Sequence, residues 1–144
     1  MNATMEKFGW PATVVAQFDH WIVLARPAQP TLGSLVLAAR SDATAFSALE
    51  PAAYAELGMV TGAIETALAG MVCFEKINYL MLMMVDPHVH FHVIPRYEGS
   101  RDWDGTAFPD AGWPRTPDLA AAISLEPPRL AALVTALRTH FGQS

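Results

Sequence analysis

Near the middle of the chain, histidine alternates with apolar residues: His88-Val89-His90-Phe91-His92, running on into Val93-Ile94. In extended backbone, successive side chains point to opposite faces. His88, His90 and His92 then share one face, and Val89, Phe91 and Val93 the other. Three imidazoles make poor core material, because each ring carries two polar nitrogens that need partners. The row is therefore read as a site, and two chemistries compete for it.

The first is metal binding. Zinc takes imidazole nitrogen at about 2.0–2.1 Å. Residues four apart in a strand stand about 13 Å apart at their Cα atoms, so His88 and His92 can hardly meet on one ion. A neighbouring pair could, but its third ligand must come from His20, Asp86, His140 or another carboxylate, and none of these follows a familiar ligand spacing. The second is nucleophilic attack on phosphorus. Imidazole is substantially neutral near pH 7, so its free nitrogen can attack. It also leaves readily from the resulting phosphoramidate. Flanking histidines can donate to phosphate oxygens, where transition-state charge collects.

The elements that position this row follow from hydrophobic pattern and turn residues. Thr13–Ala16 and Trp21–Ala25 read as short strands joined by a turn at Asp19-His20. Pro27–Pro30 is a break, and Leu35–Ala39 is the next strand. Tyr54, Leu57, Val60, Ile64 and Leu68 recur at helical spacing and predict a helix over Pro51–Ala69, stopped by Gly70. Lys76–Val85 reads as a central strand. His88–Ile94 reads as a second strand, ended by Pro95. Residues 1–12 read as a loose lead-in. Tyr97–Pro117 reads as an ordered loop carrying Trp103, Phe108 and Trp113, and Arg129–Phe141 as a closing helix. The element list predicts an α+β fold with an antiparallel sheet of about five strands and two main helices.

Composition bounds the partners. The 144 residues are 52% hydrophobic and 16% charged, with a formal net charge of -5. Nine scattered Lys and Arg do not make a nucleic-acid groove. One placed Arg can still serve a small phosphorylated ligand. The single Cys73 lies between Val72 and Phe74 and reads as a small core or near-core residue. No secretory leader is visible, and the apolar run Tyr79–Val85 is too short to cross a bilayer. The expectation is a cytoplasmic protein with no nucleic-acid or membrane partner, and the apolar surplus hints at a subunit interface.

The row His88-Val89-His90-Phe91-His92-Val93-Ile94 resembles the histidine triad (HIT) family, whose hallmark is His-φ-His-φ-His-φ-φ with φ apolar. Pro87 before it and Pro95-Arg96 after it resemble the bacterial branch related to diadenosine polyphosphate hydrolases, as do Asn78 ten residues ahead and the Pro30-Thr31 break before Leu35-Val36-Leu37. The resemblance covers about residues 13–97 of one domain spanning 1–144, with 98–144 as a tail. It implies a nucleotide phosphate hydrolase or nucleotidyl transferase acting on dinucleoside polyphosphates or nucleotide phosphoramidates. His90 would attack the α-phosphate to form a covalent nucleotidyl-histidine, and the carbonyl of His88 would accept from the other nitrogen of His90. His92 would contact phosphate oxygens, and the His88 side chain would serve the leaving group. Asn78 and Arg96 are the candidate nucleotide-binding residues. It also implies a homodimer that needs no cofactor or metal of its own, a divalent cation such as Mg²⁺ entering only with substrate. The alternative is a nucleotide-binding or sensing module with little turnover.

The chain departs from the family pattern at several positions. Gly33-Ser34 and Ser41 stand where relatives place further histidines. Leu24-Ala25-Arg26-Pro27 offers no acid to hold a ribose, and Arg26 could meet a phosphate instead. Met84, Val85 and Asp86 stand where a polar residue usually precedes the first triad histidine.

Overall fold

The computed structural model describes residues 2–142. In chain order the elements are a short helix α1 (Ala3–Lys7), strands β1 (Val14–Gln17), β2 (Trp21–Ala25), β3 (Ala28–Gln29) and β4 (Leu35–Ala39), helix α2 (Pro51–Val72), strands β5 (Lys76–Leu80), β6 (His90–Arg96), β7 (Ser100–Trp103), β8 (Thr106–Pro109) and β9 (Ile123–Ser124), and helix α3 (Pro127–His140). The main sheet runs β1-β2-β4-β6-β5, with every neighbouring pair antiparallel. This is an α+β fold with five main strands and two main helices.

Every residue of β2 and β4 is buried, because both faces of the sheet are covered. That is why these strands read as unbroken apolar runs. On one face Trp21, Val23, Leu35, Leu37 and Val93 join Val60, Ile64, Leu68 and Val72 of α2 and Leu133, Val134 and Leu137 of α3 in the larger core. By length and composition α2 could cross a membrane, yet these side chains make it the core helix of this fold. On the other face Ile22, Leu24, Val36 and Ala38 meet Val14 and, from the N-terminal segment, Met5 and Phe8.

Several sequence expectations are corrected here. Residues 1–12 are no loose lead-in: Asn2 caps α1 by accepting from the Met5 amide at 3.0 Å, and Met5 is fully buried. Lys76–Val85 is not a central strand. Pairing stops at Leu80, β5 lies at the sheet edge, and Met84 and Val85 are more than four-fifths exposed. Strand β6 begins at His90 rather than His88 and runs through Pro95. Because β4 stops pairing at Leu35↔Val93, no ladder bond is asked of Pro95 on that side. Helix α2 continues past Gly70 to Val72, and Cys73 takes the left-handed capping conformation (φ 53°) and is exposed rather than buried. The 97–117 stretch contains a β-hairpin, β7–β8, turned at Asp104-Gly105 with both φ angles positive.

The tail is fastened to the sheet by a buried ion pair. Arg96 donates from Nε to Asp110 at 2.7 Å and from Nη2 to Asp110 and to the Arg115 carbonyl at 3.1 and 2.7 Å. Both side chains are almost fully buried. Removing one partner of such a pair leaves an uncompensated charge. Asp110→Ala is expected to cost about 3–5 kcal/mol, read as a lower urea midpoint at unchanged m-value. A loss below about 1 kcal/mol would show that the pair does not hold the tail.

Candidate functional site

The pleat of β6 places His90 and His92 opposite Ala38 and Val36 of β4, on the face away from α2. Phe91 and Val93, on the opposite face, pack with the larger core. The two rings stand edge to face with centroids 5.1 Å apart. His88 lies just outside the strand and does not continue the row by pairing. Its Nδ1 meets Thr4 Oγ1 at 2.9 Å.

The Nδ1 of His90 lies 2.7 Å from the backbone carbonyl of His88. A carbonyl only accepts, so the proton is assigned to Nδ1, and Nε2 keeps its lone pair. That Nε2 is buried and has no hydrogen-bond partner. Two further buried nitrogens share this condition: Nδ1 of His92 and Nη1 of Arg26. Buried polar atoms are almost always paired in folded proteins. Three unpaired nitrogens, two of them on neighbouring rings of one strand, mark a place built to receive a ligand, with a lone pair at His90 and an N–H donor at Arg26.

Burial pushes the His92 imidazole down to about 4, and the positive charge of Arg26, then His90 and Lys7, act in the same direction against the opposing pull of Asp86. His92 is thus neutral at pH 7. Burial also lowers the Arg26 guanidinium from its ordinary value.

The triad face is covered rather than open. His90 is fully buried and His92 nearly so. The Phe8 ring covers both, with centroids 6.0 Å from His90 and 5.6 Å from His92. The covering segment is tied down by Thr4 on His88, by Asn2 Nδ2 donating to the Ser41 carbonyl at 3.2 Å, and by a Lys7–Asp86 ion pair at 3.0 Å.

Asn78 and Arg96 are brought together, but away from the orphaned nitrogens. Arg96 Nη1 donates to Asn78 Oδ1 at 2.8 Å. With the bonds to Asp110 and the Arg115 carbonyl, four of the five N–H groups of Arg96 are engaged. In this arrangement Arg96 clamps the tail and Asn78 satisfies the clamp. Both line a cavity of about 840 Å³ along β5, walled by Trp113 and Pro114. Leu80, also in that wall, pairs with His92, so the cavity adjoins the triad face. Among the described residues no group of three or more His, Cys, Asp or Glu is arranged to hold a metal ion.

Sequence reasoning weighed Arg26 only in passing and missed Thr4 and Phe8. Arg26 carried a signal: it lies two residues beyond Leu24, on the same face of an otherwise apolar strand. Nothing local announces that Phe8 folds back onto residues more than eighty positions away.

Solved structures share this architecture. A histidine triad protein from Bradyrhizobium japonicum superposes with a TM-score of 0.67 at 18% identity, covering 98% of this chain and 96% of its own. One from Sinorhizobium meliloti gives 0.65 at 20% identity, covering 97% and 95%. A hypothetical histidine triad nucleotide-binding protein from Sulfolobus tokodaii gives 0.65 at 17%, covering 90% and 83%. No family model and no curated protein matches the sequence. The fold is that of the histidine triad proteins.

The depressed His92 sets a pH dependence of stability. Between pH 6.5 and about 4 the unfolded chain holds a proton on this residue that the folded chain refuses. Its contribution is therefore complete above pH 6.5 and is lost as pH falls through that window. The melting temperature is expected to drop more steeply there in the native protein than in His92→Gln. Parallel pH profiles would refute a depressed His92.

Proposed function

We propose that the chain is a histidine triad family hydrolase or transferase of nucleotide phosphates, with His90 as nucleophile. The observation that carries this reading is the buried, unpartnered Nε2 of His90, whose Nδ1 is committed to the His88 carbonyl. The lone pair on Nε2 forms a bond to phosphorus as the bond from phosphorus to the leaving atom breaks, and that atom, an oxygen or in a phosphoramidate a nitrogen, departs with the electron pair and takes up a proton from His88 or water. Water then adds to phosphorus, the N–P bond breaks with its pair returning to Nε2, and a proton is released. Neutral His92 donates to a phosphate oxygen, and His88 serves the leaving group once Thr4 gives it up. Dinucleoside polyphosphates and nucleotide phosphoramidates suit this chemistry. The groups that act belong to the chain, so no cofactor is called for, and a divalent cation such as Mg²⁺ enters only with the substrate's phosphates.

The nucleophile can act only when Phe8 moves. A helix of five residues is unstable alone, so closure is a tertiary contact that binding can reverse. The same cover favours a second reading, a nucleotide sensor whose cover lifts on binding without turnover.

We also infer a homodimer formed at the edge strand β5. That edge leaves backbone groups unpaired, and Leu82, Met84 and Val85 beyond it are exposed apolar side chains. The lone thiol of Cys73, exposed and without a disulfide partner, suits the cytoplasm.

Incubation with adenine nucleotides, a cold acid-free quench and mass spectrometry are expected to show adenylated protein, and His90→Ala to show none while keeping its circular dichroism spectrum. An adduct that survives His90→Ala would refute the nucleophile. Phe8→Ala, which uncovers the rings, is expected to raise the initial rate of adduct formation about tenfold. Tight binding with no adduct in either protein would favour the sensor.

A further inference from the structure

Arg26 directly follows β2, and its backbone is held from both sides. Its amide donates to the Ser34 carbonyl at 3.1 Å, and its carbonyl accepts from Gln29 Nε2 at 2.7 Å. Gln29 is itself fixed, since its Oε1 accepts from the amides of Gly33 and Ser34 at 2.8 and 3.1 Å, and it is 1% exposed. The pleat continues from Leu24 and Val36, so Arg26 projects from the face that carries His92. Neither a carboxylate nor a carbonyl takes up its buried Nη1.

Arg26 is half-buried, and a guanidinium nitrogen taken out of water with no acceptor destabilises a fold. Arg96, which is buried, has a carboxylate and two further acceptors. Such an arrangement at Arg26, with the backbone locked and the head left unpaired, is what a preorganised anion site requires. His92, being neutral, can offer an oxyanion one N–H and no charge. Arg26 supplies a permanent charge on the His92 side of the nucleophile, away from His88.

We propose that Arg26 is a specificity-determining residue that binds a second oxyanion of the substrate, so that this site takes compounds with two neighbouring anionic groups. One is the phosphoryl group that reacts at His90. The other, a phosphate or a carboxylate on the part retained by the enzyme, lies beyond His92 against the guanidinium. This rests on His90 being the nucleophile and narrows the substrate class within that reading: nucleotide phosphates whose retained part carries a further negative charge close to the reacting phosphorus are favoured over those that offer only neutral hydroxyls there. The influence of Arg26 on the His92 imidazole agrees with the two groups facing a common space.

The test is calorimetric titration of the native protein and of Phe8→Ala with four probes: adenosine, orthophosphate, pyrophosphate and phosphonoacetate. Pyrophosphate or phosphonoacetate is expected to bind at least about tenfold more tightly than orthophosphate, as one added charge-assisted contact provides, and adenosine not measurably. The better of the two identifies the second anion as phosphate or carboxylate. Arg26→Gln is expected to abolish that preference by weakening the two-anion probe about tenfold more than orthophosphate, and Arg26→Lys to restore part of it. Arg26→Gln should also melt no lower than its parent, because it removes a guanidinium whose buried Nη1 has no acceptor. Equal affinities for one and two anions, no binding by either protein, or a melting temperature lowered by the substitution would each overturn the assignment. Failure of the His90 adduct alongside a retained two-anion preference would instead remove the catalytic reading and leave the anion site standing.

Discussion

The two-residue period of β6 is the constraint on which this molecule turns. Phe91 and Val93 are drawn into the core beneath α2, and that burial holds the register of β6 against β4 and β5. A slip of one residue would put both apolar side chains on the wrong face and both imidazoles into the core. The site geometry is thus enforced by hydrophobic burial on the other side of the sheet, with no polar contact needed to keep the imidazoles where they are. Polar contacts then refine it. The His88 carbonyl chooses the tautomer of His90, and it can do so because the chain before β6 is still extended enough to bring that oxygen within 2.7 Å.

Against this background the three unpaired nitrogens are costly, and the cost is informative. The fold satisfies difficult polar groups elsewhere: Gln29 accepts from two backbone amides and donates to two carbonyls, and Tyr97 bridges the Leu32 amide and the Phe108 carbonyl. A chain able to do this leaves His90, His92 and Arg26 unpaired at one place. A stability deficit concentrated at a site is the usual trace of function.

Most of the frame was legible in the sequence because it depends on local pattern. Strands β2 and β4 and both main helices follow from apolar runs, spacing and proline caps. The errors share a cause, which is that pattern reports apolarity and not what covers it. Residues 81–85 are as apolar as a buried strand, yet Met84 and Val85 are exposed, so the run was read as central when the chain simply leaves the sheet at Leu80. The Asp104-Gly105 turn was there to be read as a hairpin signal, but its flanking strands are short and polar. For Arg96 the sequence offers a phosphate or a salt bridge with nothing to choose between them, because the partner, Asp110, lies fourteen residues on in the tail. Phe8 lay beyond any local signal, because only the folded sheet brings it to the triad.

The N-terminal cover and the site beneath it are not independent. The Lys7–Asp86 pair is half exposed on the lysine side and holds little. The larger part of the grip is apolar, through Met5 and Phe8, together with the bond between Thr4 and His88. His88 has one Nδ1, and it cannot serve Thr4 and a ligand at once through the same atom. Any substrate group that engages that nitrogen weakens the cover at its base, and any anion that enters beside Arg26 and His92 must displace Phe8 from the rings. Both effects favour the open form, so the free energy of pairing the orphaned nitrogens is the natural source of the work needed to lift α1. An empty site then stays closed because nothing repays the lost apolar contact, and an occupied one opens because the orphaned nitrogens find their partners.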